Sequence, residues 1–421
     1  IMLKIIINFK MNIKINADKM TKQLKELGKI GVDKNNVRSR LALTEEDKKG
    51  RDLVVGYMKE LNLDIRIDQI GNVFGIYNPK NPGNLPEQKT TILMGSHIDT
   101  VVDAGIYDGC VGVIAGLAVI RAFKEQNIQP KYPLAVAFFT NEEGYWFKQD
   151  MLGSLTFLDK DNYLEKHLNS LNMEGKVLKD ELKKIGYNGK EVPGFLTPKM
   201  YLEMHIEQGP VLEVEGYQIG VVTGVQGMSW SEITINGAAS HAGMPTKYRQ
   251  DAGMTACKTA AALKEITVNS NTLATVGNMV VRPGVYNIVP VEAKLMVDLR
   301  NPDEIELQKA EKYLDDCLEK FSKEEKTTYK KEVLSRIAPV VFDKEIMECI
   351  EKNAKKLGYT NRRIVSGAGH DAQVIAGYYP TSMIFVPSKN GISHSPLEFT
   401  EDKDIENGAN VLLHTVMDFA L

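Results

Sequence analysis

Short apolar runs of strand length alternate along this chain with longer stretches whose apolar residues recur at helical spacing. Residues 91–94, 134–139 and 381–386 are nearly continuous apolar segments, the pattern of strands buried on both faces of a parallel sheet. Residues 201–206 predict a further strand, stopped by Gly209-Pro210. Between the strands, 111–124 and 344–357 predict helices, and 18–61 predicts two amphipathic helices, the second running from 44 to 61. Thr44 supplies the N-cap of that second helix and Glu45, Glu46 and Asp47 its acidic first turn. Residues 65–76 alternate as strands broken at Gly71-Asn72, 78–88 with three prolines predicts a surface loop, and 151–198 reads as helical and polar. A last helix begins at Glu401 with Thr400 as its cap.

Near Gly220 the texture changes. Residues 230–236 and 295–300 alternate polar and apolar as half-exposed strands do, and 251–266 and 303–321 predict amphipathic helices. After Val333 the earlier strand–helix texture returns. The pattern predicts an α/β chain: a doubly wound, mainly parallel sheet domain built from residues 11–219 and 334–421, with an α+β domain inserted over 220–333. A chain of 421 residues is long enough for two cores.

Composition changes this picture little. Apolar residues at 43% and charged ones at 25% are ordinary globular usage. A net charge of −3 gives no electrostatic reason to expect nucleic acid or an anionic membrane as partner. The four cysteines, Cys110, Cys257, Cys317 and Cys349, include no CxxC pair, which argues for a reducing, cytoplasmic setting rather than a disulfide framework or a cysteine–zinc site. Residues 1–9 are apolar but too short to span a bilayer, and residues 1–10 are read as lying outside the fold.

The candidate chemistry sits at strand ends. The first apolar strand delivers His97 and Asp99, two residues apart and so on one side of the pleat, and a glycine-punctuated turn carries Asp108 back toward them. The second strand ends in Thr140-Asn141-Glu142-Glu143-Gly144, the third in His205-Ile206-Glu207-Gln208, and His394 follows the last. His97, Asp108, Glu143, His205 and His394 suffice for two divalent ions bridged by Asp108; mixed imidazole and carboxylate ligands suit Zn, Mn, Co or Ni alike. Asp99 is placed to accept the other ring N–H of His97, and Glu142 is left free as a general base. Four separate strand ends each offering a ligand favour a metal site over core histidines and solvated carboxylates. Elsewhere, small residues flank His241, Asn287 precedes Ile288-Val289-Pro290, and Arg300 ends a strand, an arginine and amide suited to a carboxylate. Local context alone favours a turn histidine at His241 and leaves a surface ion pair at least as open at Arg300. Ser366-Gly367-Ala368-Gly369-His370-Asp371-Ala372 is a glycine-rich loop that shapes a pocket; without a phosphate-loop lysine it is not a nucleotide site.

The set Gly95-Ser96-His97-Ile98-Asp99-Thr100-Val101, Tyr107-Asp108-Gly109, Thr140-Asn141-Glu142-Glu143-Gly144, His205-Ile206-Glu207-Gln208-Gly209-Pro210 and Ser393-His394-Ser395-Pro396 resembles the hydantoinase/carbamoylase family of amidohydrolases. The likeness runs from Arg38 to the last helix, and the His-Ile-Glu-Gln-Gly-Pro and Ser-Gly-Ala-Gly-His-Asp-Ala segments set this branch apart from the peptidase branches of the wider two-metal group. The resemblance implies two divalent ions on His97, Asp108, Glu143, His205 and His394, and a general base at Glu142. It implies a substrate with a carboxylate and a ureido group, met by Gln208, Asn287, Arg300, Gly369 and His370, and His241 stabilising the transition state. It further implies a homodimer formed through the inserted domain, whose histidine can serve the neighbouring active site. The activity implied is release of the carbamoyl group from an N-carbamoyl-L-amino acid. Allantoate amidohydrolase and β-ureidopropionase are the near alternatives, and a dipeptidase or N-acyl-amino acid hydrolase the distant one. Two segments depart from the family pattern: Met244-Pro245-Thr246-Lys247 after His241, one residue shorter than usual, and Tyr145-Trp146 where relatives carry a small residue and an arginine.

Overall fold

The computed structural model describes residues 13–80, 90–158 and 162–421; most of the proline loop and the first ten residues lie outside that set. Its strands are β1 (Asp64–Ile67), β2 (Val73–Tyr77), β3 (Thr90–His97), β4 (Leu134–Phe139), β5 (Thr197–Ile206), β6 (Ile219–Val225), β7 (Gly227–Asn236), β8 (Leu273–Arg282), β9 (Glu292–Asn301), β10 (Thr328–Ile337), β11 (Val340–Val341), β12 (Asn361–Ser366) and β13 (Thr381–Val386). One sheet runs β1-β2-β4-β3-β5-β13-β6-β11, with β12 beside β6. At its centre β4, β3, β5 and β13 are parallel, and β2 and β6 flank them antiparallel. This is the mainly parallel α/β sheet that the buried apolar runs predict. Every residue of β4 and β13 is buried, as is the helix Cys110–Glu125 over nearly its whole length. Among the described residues no helix is long and apolar enough to cross a membrane.

The chain divides into two compact units: one up to Thr223 and again over Val341–Leu421, the other Gly224–Val340. The limits follow the strands. Val221 and Val222 pair with β13 and so belong to the larger sheet, whereas β10 stays paired to β7 as far as Ile337, beyond the 333 that the change of texture suggests. The smaller unit is a four-stranded antiparallel sheet, β10-β7-β9-β8, with the helices Ala252–Asn269 and Glu304–Glu325. Ile233, Ile235, Leu295, Val297 and Leu299 form its core with Leu263, Leu307 and Leu314. β8 and β10 are its edges and expose residues on both faces, so the period-two signal that marks β7 and β9 is missing from them.

Helix starts are largely as predicted. Thr44 caps Glu45–Glu60 by accepting from Asp47 N, and Asp303 caps Glu304–Glu325 by accepting from Ile305 N and Glu306 N. The last helix is Asp402–Ala420, one residue later than expected. Thr400 does not cap it, because its hydroxyl donates to the Pro387 carbonyl at 3.0 Å.

Candidate active site

The parallel strands β3, β4 and β5 end together, and their ends hold the site as doubly wound sheets hold theirs. Gly109, at φ +63°, turns the chain from Asp108 into the helix Cys110–Glu125; a Cβ there would stand 2.4 Å from His97 Nε2, so only glycine lets the backbone pass the imidazole. Asp108 lies at the centre. His205 Nε2 is 3.2 Å and His97 Nε2 3.5 Å from its Oδ1, while His394 Nε2 is 3.2 Å from its Oδ2 and 3.3 Å from Glu143 Oε2. The ligand atoms fall into two groups that share Asp108: His97, Asp108 and His205, then Asp108, Glu143 and His394.

The ring tautomers follow from the backbone. His97 Nδ1 lies 3.0 Å from the Asp99 carbonyl and His205 Nδ1 2.9 Å from the Ile206 carbonyl, so each ring donates from Nδ1 and turns a bare Nε2 inward. Lone pairs on Nε2 and on carboxylate oxygens then face each other at 3.2–3.5 Å, an arrangement that a cation between them reconciles. Glu143 Oε1 is buried with no hydrogen-bond partner. Donor set and orphaned oxygen both fit divalent metal. Asp99 differs from its predicted role: its carboxylate is 3.8 Å from His97 Nδ1, and it instead accepts from Glu142 N and Glu143 N, each at 3.3 Å. The His97 ring turns to the nearer Asp99 carbonyl, and Asp99 orients the glutamate pair.

Electrostatics follow from burial and neighbours. Burial opposes the charge on Asp108, but the His205, His394 and His97 rings, which hydrogen-bond to it once they carry a proton on Nε2, hold its carboxyl well below the usual carboxylate range. Burial pushes Glu143 up to about 8 and drives Glu142 well above its ordinary value, with Asp371, Glu143 and Asp108 reinforcing the second shift. Hydrogen bonding to Asp108 raises His394 to about 9. Glu142 Oε2 is 3.4 Å from His97 Nε2 and, unlike Glu143, belongs to neither ligand group, which suits a general base.

Several groups that support the cage are not evident from the sequence. Glu398 Oε1 accepts from Tyr107 N at 2.9 Å and Asp108 N at 3.2 Å, and Ser393 Oγ lies 2.9 Å from both Glu398 Oε2 and Asp108 Oδ2. The buried Arg40 donates to the Ile98, Leu27 and Ile30 carbonyls behind the His97 turn. Arg51, paired with Asp47 at 2.7 Å, reaches Thr140 Oγ1 at the root of the glutamate pair. The signal available was a charged residue on an otherwise apolar helix face or next to a motif; nothing in the sequence says which carbonyl it meets. Asn141, Met151, Gln208 and His394 all hold positive φ, between 48° and 56°, so strained backbone gathers at this site.

The predicted substrate residues separate. Gln208, Gly369 and His370 line a cavity of about 160 Å³ with Asp108, Glu142, Glu143 and His205. Gln208 Nε2 donates to Asp108 Oδ2 at 2.7 Å, and its Oε1 is buried without a partner. His370 is buried, with Nε2 2.8 Å from Ser366 Oγ and its ring edge-on to His205 at 4.6 Å, so it backs a ligand more than it faces the cavity. His241, Asn287 and Arg300 lie in the smaller unit. His241 bridges to Ile288, Ala242 N donates to the Asn287 carbonyl, and Arg300 forks onto Asp298 at 2.9–3.2 Å.

Comparison with known proteins bears on this geometry directly. Residues 93–418 match peptidase family M20/M25/M40. The chain belongs to that family. A solved hydantoinase/carbamoylase family amidase from Burkholderia multivorans superposes with a TM-score of 0.91 at 37% identity, covering 97% of this chain and 98% of that one. The N-carbamoyl-L-amino-acid amidohydrolase of Rhizobium meliloti is 35% identical over 97% of this chain and 98% of its own length. The allantoate amidohydrolase of Bacillus subtilis is 30% identical over 93% and 95%. Within its family the chain is thus a hydantoinase/carbamoylase-type hydrolase acting on carbon–nitrogen bonds other than peptide bonds. Family enzymes are typically metal-dependent, in keeping with the ligand groups around Asp108.

Proposed function

We propose that this M20-family hydrolase removes the carbamoyl group from N-carbamoyl-L-amino acids, giving the amino acid, ammonia and carbon dioxide. The observation that carries the reading is near full-length likeness to the Rhizobium carbamoylase, together with five side chains grouped as candidate metal ligands and a separate buried glutamate in the cavity that four of them line. Two divalent ions (Zn, Mn, Co or Ni) fit the donor set: His97 and His205 would hold one, Glu143 and His394 the other, with Asp108 common to both groups. When bound they polarise the ureido carbonyl and acidify water. Glu142 takes the proton of the attacking water and returns it to the departing nitrogen. Arg300 and Asn287 hold the substrate's carboxylate, Gln208 its amide, with Gly369 in the cavity wall, and His241 meets the developing oxyanion.

The same reading makes the enzyme a homodimer through the smaller unit, where edge strand β8 carries the exposed Leu273, Met279 and Val280. It places the chain in the cytoplasm, a setting in keeping with four free cysteines. The Bacillus subtilis relative supports a second substrate, allantoate. Ammonia release by chelator-stripped protein, resupplied with manganese or zinc, separates the two. The substrates are N-carbamoyl-L-amino acids, N-carbamoyl-β-alanine, allantoate and an N-acetyl amino acid. Metal-dependent release from the first group is the expected result; release from allantoate alone would replace the substrate and keep the chemistry.

A further inference from the structure

One wall of the cavity belongs neither to the metal cage nor to the proton transfer. It is made by Asp150, Met151, Ala368 and Gly369. Its two halves lie close together, since a Cβ added at Gly369 would stand 3.4 Å from the Met151 methyl carbon. Of the four carboxylates in the cavity, the reading above gives Asp108 and Glu143 to metal and Glu142 to the proton, which leaves Asp150. Among the described residues no lysine or arginine lines the cavity. Asp150 accepts from the neighbouring Gln149 Nε2, at 3.1 Å.

Asp150 is also held in place. Asn141 Nδ2 donates to the Phe147 and Gln149 carbonyls at 3.0 and 2.7 Å, folding residues 144–150 back over the strand end. Gly144, at φ +63°, admits that return; a Cβ there would meet Asp150 N and Cα at 2.8 Å. Met151 N then donates to the Glu142 carbonyl at 2.8 Å, one residue from Asp150, so this carboxylate is tied to the backbone of the general base. A fixed carboxylate on the cavity wall with no lysine or arginine beside it offers a place for a cationic group of the ligand.

We infer that Asp150 is a specificity-determining residue that selects carbamoylated amino acids whose side chain ends in a cation, an ammonium or guanidinium. This rests on the carbamoyl-amino acid reading above. The substrate then meets Asp150 with its side chain, while the ureido carbon faces Glu142. A charge-assisted contact of this kind is worth about tenfold or more in kcat/KM.

The test uses the metal-loaded full chain with N-carbamoyl-L-lysine, its near-isostere N-carbamoyl-L-norleucine, and N-carbamoyl-L-glutamate, in wild type, Asp150→Asn and Asp150→Lys. Metal content and melting temperature of each variant confirm a folded, loaded site. The expected result is a wild-type preference for lysine over norleucine of about tenfold or more, carried mainly by KM. In Asp150→Asn that ratio falls to near one, and in Asp150→Lys the glutamate derivative becomes the better substrate. Norleucine hydrolysis with a lysine ratio near one in wild type, or a ratio that Asp150→Asn leaves unchanged, overturns the inference while the carbamoylase reading stands. No hydrolysis of any carbamoyl substrate, with allantoate turned over, removes both.

Discussion

In the larger unit the reacting groups are buried before any ligand arrives: His97, Asp108, Glu142 and His205 are each less than a tenth exposed, and strand ends and backbone carbonyls fix their orientation. In the smaller unit His241 and Asn287 are exposed, and Arg300 is half-buried against its own strand neighbour Asp298. Each unit is built accordingly. The larger places its groups at the ends of strands sealed on both faces, where a one-residue slip would turn every ligand away. The smaller carries its candidates near the ends of β7 and β9 and in the turns between strands, where local hydrogen bonds help to hold them. On the proposed assignment, the candidate ligands and base of the larger unit are preorganised charge, whereas in the smaller unit Arg300 has to leave Asp298 to meet a carboxylate.

The largest effect should come from the bridging carboxylate. Asp108→Asn removes the one group common to both ligand sets, so bound metal per chain should drop and turnover fall by roughly four orders of magnitude. Elemental analysis beside ammonia release checks this. Full metal occupancy in that variant would break the view that one residue organises both sites. Glu142→Gln comes next. It keeps shape and removes the base, so metal content should be retained and kcat should fall by about a thousandfold. Arg300→Met tests the other unit. Its loss should raise KM by about tenfold to a hundredfold and leave metal content unchanged. A kcat loss as large as that of Glu142→Gln would place Arg300 in the chemistry and erase the contrast between the units.

How much of this was legible in the sequence follows the same division. The central strands β3, β4 and β13 were plain because burial on both faces writes continuous apolar runs, and most of the candidate ligands stood out because they lie just beyond such runs. The edge strands β8 and β10 were not, since residues such as Lys330, Lys331 and Glu332 satisfy no single face. Nor were Glu398, Arg40 and Arg51, whose partners lie on elements distant in sequence. The misread role of Asp99 has the same origin: residue spacing put its carboxylate beside His97, and only the fold shows the carbonyl nearer.

The smallest effect isolates what burial alone does in the larger unit, away from any ligand group. His167 is 1% exposed, and burial, helped by Lys166, lowers its pKa to about 4 from 6.5. Thr156 Oγ1 donates to the Leu152 carbonyl and lies 2.7 Å from His167 Nδ1, so the ring supplies the proton of that contact, while its buried Nε2 has no partner. A second proton would go onto Nε2, where no acceptor waits. The unfolded chain takes up that proton near pH 6.5 and the folded one only near pH 4, so stability is complete above 6.5 and declines as pH falls through that window. His167→Asn keeps a donor toward Thr156 and cannot titrate. The difference in melting temperature between wild type and this variant should therefore shrink by roughly 2–4 °C between pH 7 and pH 4.5. A difference independent of pH would mean that solvent reaches this ring, and that the larger unit is less tightly sealed away from its active site than the contrast requires.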